Sequence, residues 1–416
     1  MATRKSKRTF DIVVFGATGF TGRLVARYLA RTHGGTGLSW AIAGRSAGRL
    51  EEIRKELARI SSEFAELPII VADSFDRPAL DALARQTRVV CTTVGPYALY
   101  GEQLVAACAD AGTHYCDLTG ETPFIRDMID RYHDRAVETG ARIVNCCGFD
   151  SIPSDIGTLV LQNAAIERFG RPLESIEFQL VKARGGFSGG TIASLLNVLS
   201  QAQDPAVRRV LGNPYSLNPD GQRTGPDKGD SMGIRKDPVT GHWTAPFLMA
   251  PINTRVVRRS NALLDYRYGR QFRYGEVTRL KRGVTGMAAA AGMTAGLGSF
   301  MAVAAIKPTR KLLERYVLPA PGEGPSEAAI ESGFFIAELM GLLDRSNVDG
   351  QLRLRVHGKG DPGYGSTAGM LSEAALCLAR NEAKLTSPGG VLTPAAAMGT
   401  HLIDGLRTAG VTFEVL

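Results

Sequence analysis

The feature that most constrains the fold of this chain is a glycine-rich heptapeptide near its N-terminus. It consists of Gly16, Ala17, Thr18, Gly19, Phe20, Thr21 and Gly22. The heptapeptide follows an apolar run and precedes apolar residues spaced by three and four, which predicts a strand, a tight turn and a helix. Gly16 permits the turn, Gly19 lets the backbone approach a pyrophosphate, and Gly22 allows helix and strand to pack closely. This context predicts a dinucleotide-binding turn. The alternative is a structural turn without a ligand.

Apolar runs and helical patterns alternate through the first 150 residues. The predicted strands cover residues 10–15, 38–43, 68–72, 88–94, 114–118 and 142–146. Continuous apolar strands separated by helices indicate a parallel sheet that is covered on both faces. We therefore predict an α/β fold whose N-terminal part, residues 1–160, is a doubly wound, parallel-sheet Rossmann domain.

A second domain is expected because 416 residues exceed the usual size of one domain and because the alternation changes after residue 150. Strands are predicted at 175–181, 352–356 and 411–415, helices at 192–201, 367–379 and 394–407, and long loops at 204–250. We interpret residues 161–364 as an α+β substrate domain. The last strand either pairs across a homodimer or closes a sheet within the chain.

The residues after the second, third and fourth strands bear on the cofactor. An NAD site usually has an acidic residue after the second strand, whereas this chain has Arg45 and Ser46 there. An arginine can pair with the 2′-phosphate of NADP, so the sequence favours NADP(H); the alternative for Arg45 is a solvated helix start. Asp73 can reach the adenine amine or cap a helix. Gly95 and Pro96 are expected to shape the turn beside the nicotinamide ribose.

Five motifs in a fixed order extend this pattern. They are Gly-Ala-Thr-Gly-Phe-Thr-Gly at 16–22, Ala-Gly-Arg-Ser at 43–46, Thr-Val-Gly-Pro-Tyr at 93–97, Tyr-Cys-Asp-Leu-Thr-Gly-Glu at 115–121 and Cys-Gly-Phe-Asp-Ser-Ile-Pro-Ser-Asp at 147–155. Together they resemble the saccharopine dehydrogenase-like oxidoreductases. Residues 250–263 and 390–399 resemble a narrower branch, the mycobacterial trans-acting enoyl reductases.

The resemblance implies an NADPH-dependent reductase that works in trans for a polyketide synthase lacking a working enoyl reductase module. The implied substrate is an enoyl thioester on an acyl carrier domain, and the implied products are cell-wall lipids of the methyl-branched and phthiocerol type. It also implies that residues 365–410 return to the Rossmann domain. Two alternatives remain open: a saccharopine-type dehydrogenase acting on an imine, and a non-catalytic NADP-binding protein at a lipid surface.

Enoyl reduction places negative charge on the thioester oxygen and requires a proton at the α-carbon. Tyr97 and Tyr100 follow the fourth strand, so either hydroxyl is a candidate donor, although both can equally be packing residues. Asp150 and Ser151 follow the sixth strand and can orient the nicotinamide or the substrate; the alternative is an N-cap for the helix that starts near Pro153. Ser188 and Thr191, in a second glycine-rich run, can contact substrate or belong to a structural turn.

The net charge of +8 is concentrated in two places. Arg4, Lys5, Lys7 and Arg8 form a basic N-terminal tail, and residues 255–282 contain nine basic and two acidic residues. This basic segment either docks an acidic carrier domain or phosphopantetheine arm, or forms a face with local ion pairs. Nothing in the charge pattern indicates nucleic-acid binding.

The basic segment is followed by residues 283–306, which carry no charge and are dominated by Ala, Gly, Thr and Met. Their length would suit a membrane span, but so few large apolar residues favour a buried or surface-dipping helix that lines an acyl groove. Because Lys307, Arg310 and Lys311 follow, peripheral contact with anionic lipid is a further hypothesis.

The six cysteines form no Cys-x-x-Cys pair, and no histidine pair has zinc-site spacing, so no metal site is expected. Four of the cysteines lie in or beside apolar runs, which indicates buried thiols in a reducing compartment. No signal-peptide core follows the basic N-terminus. These features predict a cytoplasmic protein, with membrane contact limited to the periphery.

Overall fold

The computed structural model describes residues 8–186, 189–310, 324–345 and 347–416. In these ranges the strands are β1 (Phe10–Phe15), β2 (Trp40–Gly44), β3 (Ile69–Val71), β4 (Thr87–Thr92), β5 (His114–Cys116), β6 (Arg142–Val144), β7 (Ser175–Arg184), β8 (Arg235–Lys236), β9 (Trp243–Pro246), β10 (Arg273–Arg279), β11 (Phe334–Asp344), β12 (Asn347–Lys359), β13 (Gly390–Leu392) and β14 (Val411–Val415). The α-helices are α1 (Phe20–His33), α2 (Ala47–Ala58), α3 (Arg77–Gln86), α4 (Tyr97–Tyr100), α5 (Glu102–Ala111), α6 (Thr122–Thr139), α7 (Ile152–Phe169), α8 (Gly189–Gln201), α9 (Pro205–Gly212), α10 (Ala250–Leu263), α11 (Gly283–Ala305), α12 (Glu327–Glu331), α13 (Gly365–Arg380), α14 (Pro394–Met398) and α15 (Ile403–Thr408).

The first sheet has the strand order β13-β6-β5-β4-β1-β2-β3, and every neighbouring pair in it is parallel. At its centre Val13 of β1 pairs with Ala41 of β2 and Val90 of β4, and all three residues are fully buried. Such burial is expected of a parallel sheet that has helices on both faces. The six strands predicted from the first 150 residues are present, and the predicted α/β fold is confirmed.

The C-terminal part of the chain adds one strand and one buried helix to this sheet. β13 pairs with β6, and α13 packs against α1, β1, β4 and β5. Glu373 of α13 accepts a hydrogen bond from the hydroxyl of Tyr28 at 2.7 Å and lies 2.8 Å from Nε2 of His33. The sequence predicted α13 but not β13, because three residues carry no periodic signal. The domain boundaries at residues 160 and 364 stay a prediction.

The second sheet, with the order β14-β12-β11-β7-β10-β9-β8, is mixed. β7 and β10 are parallel, and the other neighbouring pairs are antiparallel. Leu339 and Leu354 of the β11–β12 hairpin pack against α7 at Gly157. Because α7 follows β6 directly, it connects the two sheets. β14 pairs with β12 and is the outermost strand of this sheet; pairing of β14 across a homodimer stays a prediction.

Three parts of the second half differ from expectation. Residues 204–250, predicted as loops, also contain α9 and the short strands β8 and β9. Residues 394–407, predicted as one helix, are split at Gly399, where φ is +55°. β10 was not predicted because it is mostly polar, and β11 was not predicted because a continuous apolar run does not distinguish strand from helix.

Candidate functional site

The glycine-rich heptapeptide forms the turn between β1 and α1. Gly16 has φ +90°, and a Cβ at this position would lie 2.6 Å from Cγ2 of Val94. A Cβ at Gly22 would lie 2.1 Å from the carbonyl oxygen of Gly16, so the close approach of helix and turn requires glycine at both positions. Gly19 occupies the N-cap position, and no side chain caps the helix. The first N–H groups of α1 are therefore available to an anion.

A cleft of about 130 Å³ opens at this end of α1. It is lined by Thr18, Gly19, Phe20, Arg23, Arg49, Glu52 and Ile53. Nη2 of Arg49 lies 3.4 Å from the carbonyl oxygen of Thr18, and Arg23 pairs with Glu56 at 2.8 Å. Two guanidinium groups beside a helix N-terminus fit a phosphate group. Neither arginine is predicted from the sequence, although each lies within the first turn of the helix after a strand end.

The other predicted adenosine contacts lie after β2 and β3. Arg45 is exposed and makes no ion pair within the described part of the chain. Ser46 is the N-cap of α2 and accepts a hydrogen bond from the N–H of Arg49 at 3.5 Å. Asp73 accepts one from the N–H of Phe75 at 2.9 Å, while Asp76 caps α3. Arg45 is thus free to pair with a 2′-phosphate, whereas Ser46 and Asp73 stabilise local turns.

The two candidate tyrosines occupy different environments, and neither supports the catalytic interpretation. Tyr97 is buried; its hydroxyl accepts a hydrogen bond from the N–H of Leu118 at 3.2 Å and donates to the carbonyl of Thr92 at 3.3 Å. Burial raises the pKa of this hydroxyl well above its ordinary value. Tyr100 packs edge-on against Phe75, with ring centroids 5.7 Å apart. Since Phe75 follows β3, this contact places Tyr100 toward the adenosine side of the sheet.

The turn after β4 is held by a carboxylate that the sequence did not single out. Gly95 is exposed at the end of the strand, and Pro96 precedes the first turn of α4. The buried side chain of Glu121 accepts hydrogen bonds from the N–H of Tyr97 (2.8 Å), the N–H of Ala98 (3.1 Å) and Oγ of Ser194 on α8 (2.7 Å). Glu121 therefore joins this turn to α8. Its position at the end of the 115–121 motif was the available signal.

A second buried carboxylate organises the ends of β5 and β6. Asp117 accepts hydrogen bonds from the N–H of Thr119 (3.0 Å), the N–H of Cys146 (3.1 Å), the hydroxyl of Tyr115 (2.9 Å) and Nδ2 of Asn145 (2.8 Å). Burial raises its pKa to about 6 against the opposing effect of these donors. Asp117 thus holds both loops in place at the carboxyl edge of the sheet.

Asp150 and Ser151 follow this loop and differ in their contacts. The carboxylate of Asp150 has no hydrogen-bond partner among the described residues, and burial raises its pKa to about 7. Ser151 occupies the N-cap position of α7, but its hydroxyl makes no cap bond and instead donates to Oδ1 of Asn253 at 2.9 Å. The N-cap interpretation is therefore wrong for the Ser151 side chain. Nδ2 of Asn253 donates in turn to Glu276 at 2.9 Å, which continues the polar chain into the second sheet.

The second glycine-rich run is only partly described, because Ser188 lies outside the described residues. Thr191 is half-buried in the first turn of α8. The N–H of Gly186 donates to Asp361 at 3.0 Å, and the N–H of Gly189 donates to the hydroxyl of Tyr364 at 3.0 Å. These contacts fix the run to the segment before α13.

The basic segment does not form a continuous docking face. Arg255, Arg258 and Arg259 are at most 4% exposed. Arg255 pairs with Asp230 at 3.0 Å and Arg258 with Asp227 at 2.9 Å, while Arg259 donates to the carbonyl of Val391 at 2.6 Å. Burial excludes docking of an acidic partner at these three residues, and it equally excludes an exposed face: Arg255 and Arg258 form buried ion pairs, and Arg259 binds backbone carbonyls.

The uncharged segment is a helix, α11, but it is not buried as expected. Only Gly286, Ala290 and Ala304 of its residues are buried. By length and composition α11 could cross a membrane. Only 11% of its most apolar 18-residue stretch is buried by the rest of the described chain. Of the cations that follow it, Lys307 is exposed, Arg310 is buried and Lys311 lies outside the described residues.

Within the described ranges no group of three or more His, Cys, Asp or Glu side chains is placed to hold a metal ion. The site is therefore built from backbone amides, arginines and isolated carboxylates at the carboxyl edge of a parallel sheet. This arrangement fits a dinucleotide with its pyrophosphate at α1, its adenosine over β2 and β3, and its nicotinamide over β4 to β6.

Comparison with known proteins agrees with this site. Residues 12–144 match the saccharopine dehydrogenase NADP-binding domain, which identifies NADP(H) as the cofactor. Saccharopine dehydrogenase from Saccharomyces cerevisiae shares the fold, with a TM-score of 0.52 and 13% identity over 98% of this chain and all of that one. Because that identity is low, the likeness concerns the fold alone.

Relatives of higher identity cover the whole chain. The trans-acting enoyl reductases of Mycobacterium tuberculosis and Mycobacterium bovis are 40% identical over 98% of this chain and 97% of their own length. A second M. tuberculosis protein, which bears the same name provisionally, is 46% identical over the same shares. Identity at this level over complete chains establishes common descent. The chain therefore belongs to the family of the mycobacterial trans-acting enoyl reductases, within the saccharopine dehydrogenase-like oxidoreductases.

Proposed function

We propose that this chain is an NADPH-dependent enoyl reductase that acts in trans on an α,β-unsaturated thioester carried by the acyl carrier domain of a polyketide synthase. The observation that carries the proposal is the full-length similarity to trans-acting enoyl reductases, which spans the nucleotide turn and the loops after β4, β5 and β6. A polyketide synthase that makes phthiocerol-type cell-wall lipids is the partner we propose, after the resemblance described above.

NADPH supplies the hydride that is added to the β-carbon. The amides at the start of α1 bind its pyrophosphate, and Arg45 and Arg49 bind its 2′-phosphate. Arg45 contributes the unpaired guanidinium, while Arg49 reaches the cleft from the first turn of α2. The same positions explain the preference for NADPH, because NADH lacks the phosphate that the two arginines would meet.

Asp150 is our candidate for the proton donor to the α-carbon. It follows β6, on the side of β1 opposite to β2, where the nicotinamide is expected. Its carboxylate has no competing hydrogen bond from the described residues, and its pKa of about 7 keeps a large fraction of it protonated near neutral pH. The acid gives its proton to the enolate formed by hydride addition, and water then restores the acid.

The imine-reducing alternative requires several cations that converge on a substrate with several carboxylates. Of the cations in the basic segment, Arg255 and Arg258 are in buried ion pairs and Arg259 is buried against backbone carbonyls, which leaves these three unavailable to such a substrate. We therefore retain the enoyl reductase as the proposed function. The six cysteines are free and buried, in keeping with a cytoplasmic location.

The test is incubation of the purified chain with NADPH and an enoyl thioester on a carrier domain, followed by NADPH absorbance and product mass. We expect a product heavier by two hydrogens, NADPH preferred over NADH, and a fall of about 100-fold in kcat for Asp150→Asn. In the wild-type chain we expect the rate to fall above neutral pH, because Asp150 loses its proton there. This fall should be absent in Asp150→Asn, while the affinity for NADPH stays the same. An unchanged product mass with a competent carrier contradicts the proposed function, and an unchanged kcat in Asp150→Asn contradicts the role of Asp150 alone.

A further inference from the structure

Helix α11 presents an uncharged surface to solvent along its whole length. Its 23 residues include no Asp, Glu, Lys or Arg. A single narrow stripe of buried and half-buried residues turns inward; its members are Gly286, Ala290, Thr294, Leu297, Phe300, Met301 and Ala304. Along this stripe the helix contacts β9 and α8. The remaining two thirds or so of its circumference has no cover within the described chain.

The exposed side of α11 contains several exposed large apolar side chains. Val284 is 77% exposed, Met287 39%, Met293 42% and Val303 41%, and Ile306 just after the helix is 57% exposed. Between them lie mainly alanine and glycine. An exposed apolar surface that extends along a whole helix usually marks a site that contacts another apolar phase or partner.

The charges at the two ends of α11 have one sign. Lys281 and Arg282 precede the helix, and Lys307 follows it; all three are exposed and have no ion-pair partner in the described part of the chain. From residue 277 to residue 310 the sequence contains no acidic residue. Arg279 and Arg310 belong to the same stretch, but Arg279 pairs with Glu338 at 2.8 Å and Arg310 is buried. The free cations therefore bracket the apolar surface.

We propose that α11 lies flat in the interfacial region of an anionic phospholipid bilayer and holds the protein at the membrane surface. The uncharged side enters the boundary between headgroups and acyl chains, and Lys281, Arg282 and Lys307 contact lipid phosphates. A flat orientation is required because the inward stripe packs against β9 and α8, which a spanning helix would have to leave. The proposal is independent of the enzyme's substrate.

Charge complementarity selects this occupant over two others. A second copy of the chain would bring the same cations to the interface, so the two sets of Lys281, Arg282 and Lys307 would repel at an antiparallel or parallel contact. An acidic carrier domain would satisfy the cations but leave the long uncharged surface between them without an apolar counterpart. A bilayer with anionic headgroups supplies both partners: phosphates for the cations and acyl chains for the uncharged surface.

The experiment is flotation of the full-length protein with vesicles of phosphatidylcholine alone and of phosphatidylcholine mixed with phosphatidylglycerol. We expect binding to the mixed vesicles only, and a loss of roughly tenfold or more in the bound fraction for the double variant Lys281→Glu, Arg282→Glu. Val303→Glu should reduce binding as well, because a carboxylate cannot enter the interface. Matched controls are Arg171→Glu, an exposed arginine elsewhere, and Val137→Glu, whose valine is 42% exposed on α6.

Thermal unfolding and NADPH oxidation by each variant separate lipid binding from folding and catalysis. Failure of the wild-type protein to float with anionic vesicles overturns the proposal, whatever the activity. Equal loss in the Val137→Glu control also overturns it. A sedimentation experiment in which Val303→Glu turns a dimer into a monomer, without any vesicle binding by the wild type, would assign the surface to a second copy instead.

Discussion

Helices α10 and α11 lie close together in the chain and reverse the usual relation between charge and burial. α10 contains three arginines that are at most 4% exposed, whereas α11 contains no charged residue and is largely exposed. Hydrophobicity alone would predict the opposite placement. The difference shows that burial follows the partners that the fold provides.

The partners of α10 come from distant parts of the chain. Asp227 and Asp230 precede β8 and β9, which separate them from α10 in the chain, and the carbonyl of Val391 comes from β13 in the first sheet. These groups accept hydrogen bonds from each guanidinium, which is the condition for burying a charge, although Nε of Arg255 and Nε of Arg259 have no hydrogen-bond partner among the described residues. Among the described elements, α11 makes its main contacts with β9 and α8, and a single stripe of the helix faces inward. Three predictions test this contrast and a fourth extends it to an exposed arginine outside the two helices; they run from the largest expected effect to the smallest.

The strongest test removes a buried arginine from α10. Arg259→Ala should lower the free energy of unfolding by about 3–5 kcal/mol, because carbonyl groups of Leu217 and Val391 lose their donor and a large cavity forms. Arg282→Ala at the start of α11 should change it by less than about 0.5 kcal/mol. Urea unfolding followed by circular dichroism measures both. Similar losses in the two variants would remove the contrast between the helices.

A second test uses the carboxylate that contacts α10. Burial raises the pKa of Glu276 to about 7 from its ordinary 4.5, so the folded state binds the proton more tightly than the unfolded state. Its contribution to stability is therefore full below the unfolded pKa and falls by up to about 1.4 kcal/mol per pH unit until the pH passes the folded pKa. In Glu276→Gln the fall in stability between pH 5 and 7 should be shallower by this contribution, while the raised pKa of Asp150 keeps part of the slope. Parallel pH profiles of both proteins would contradict it.

A third test compares the same side chain on the two helices. Val257 of α10 is fully buried, and Val303 of α11 is 41% exposed. Val257→Ala should reduce the free energy of unfolding by about 2 kcal/mol, since it deletes buried methyl groups and leaves a cavity. Val303→Ala should have an effect within about 0.5 kcal/mol. A large cost at Val303 in lipid-free buffer would mean that α11 is covered in solution.

The smallest effect concerns Arg45, an exposed arginine that we propose binds the 2′-phosphate of NADPH. Arg45→Ala should raise the KM for NADPH about tenfold and leave the KM for NADH nearly unchanged, because only NADPH carries the 2′-phosphate. Arg31→Ala, at the exposed end of α1, is the control and should alter neither value. Steady-state kinetics with each cofactor measures the two KM values. Equal changes for NADPH and NADH would show that Arg45 contacts another part of the nucleotide.

The sequence predicted the parts of the site that depend on local geometry. Gly16 and Gly22 are recognisable because each permits a contact that a Cβ would block, and Arg45 because it immediately follows a strand. The side chains that define the nicotinamide end were not predictable in this way. From the sequence the Tyr97 hydroxyl was a candidate donor or part of a packing residue, but the N–H of Leu118, 21 residues later, donates a hydrogen bond to it.

By itself the amino-acid sequence determined the parallel sheet, the cofactor class and the family. The signals for them are the apolar strand runs, the glycine-rich turn and Arg45 after β2, and each of these is formed by residues that are neighbours in the chain. Only the tertiary structure decided which charges are buried. Arg259 needs a carbonyl 132 residues away, and Glu121 needs a hydroxyl on α8, so neither environment is encoded in neighbouring residues. The exposure of α11 was decided in the same way, since a helix without charges becomes core only where the fold supplies enough apolar surface to cover it.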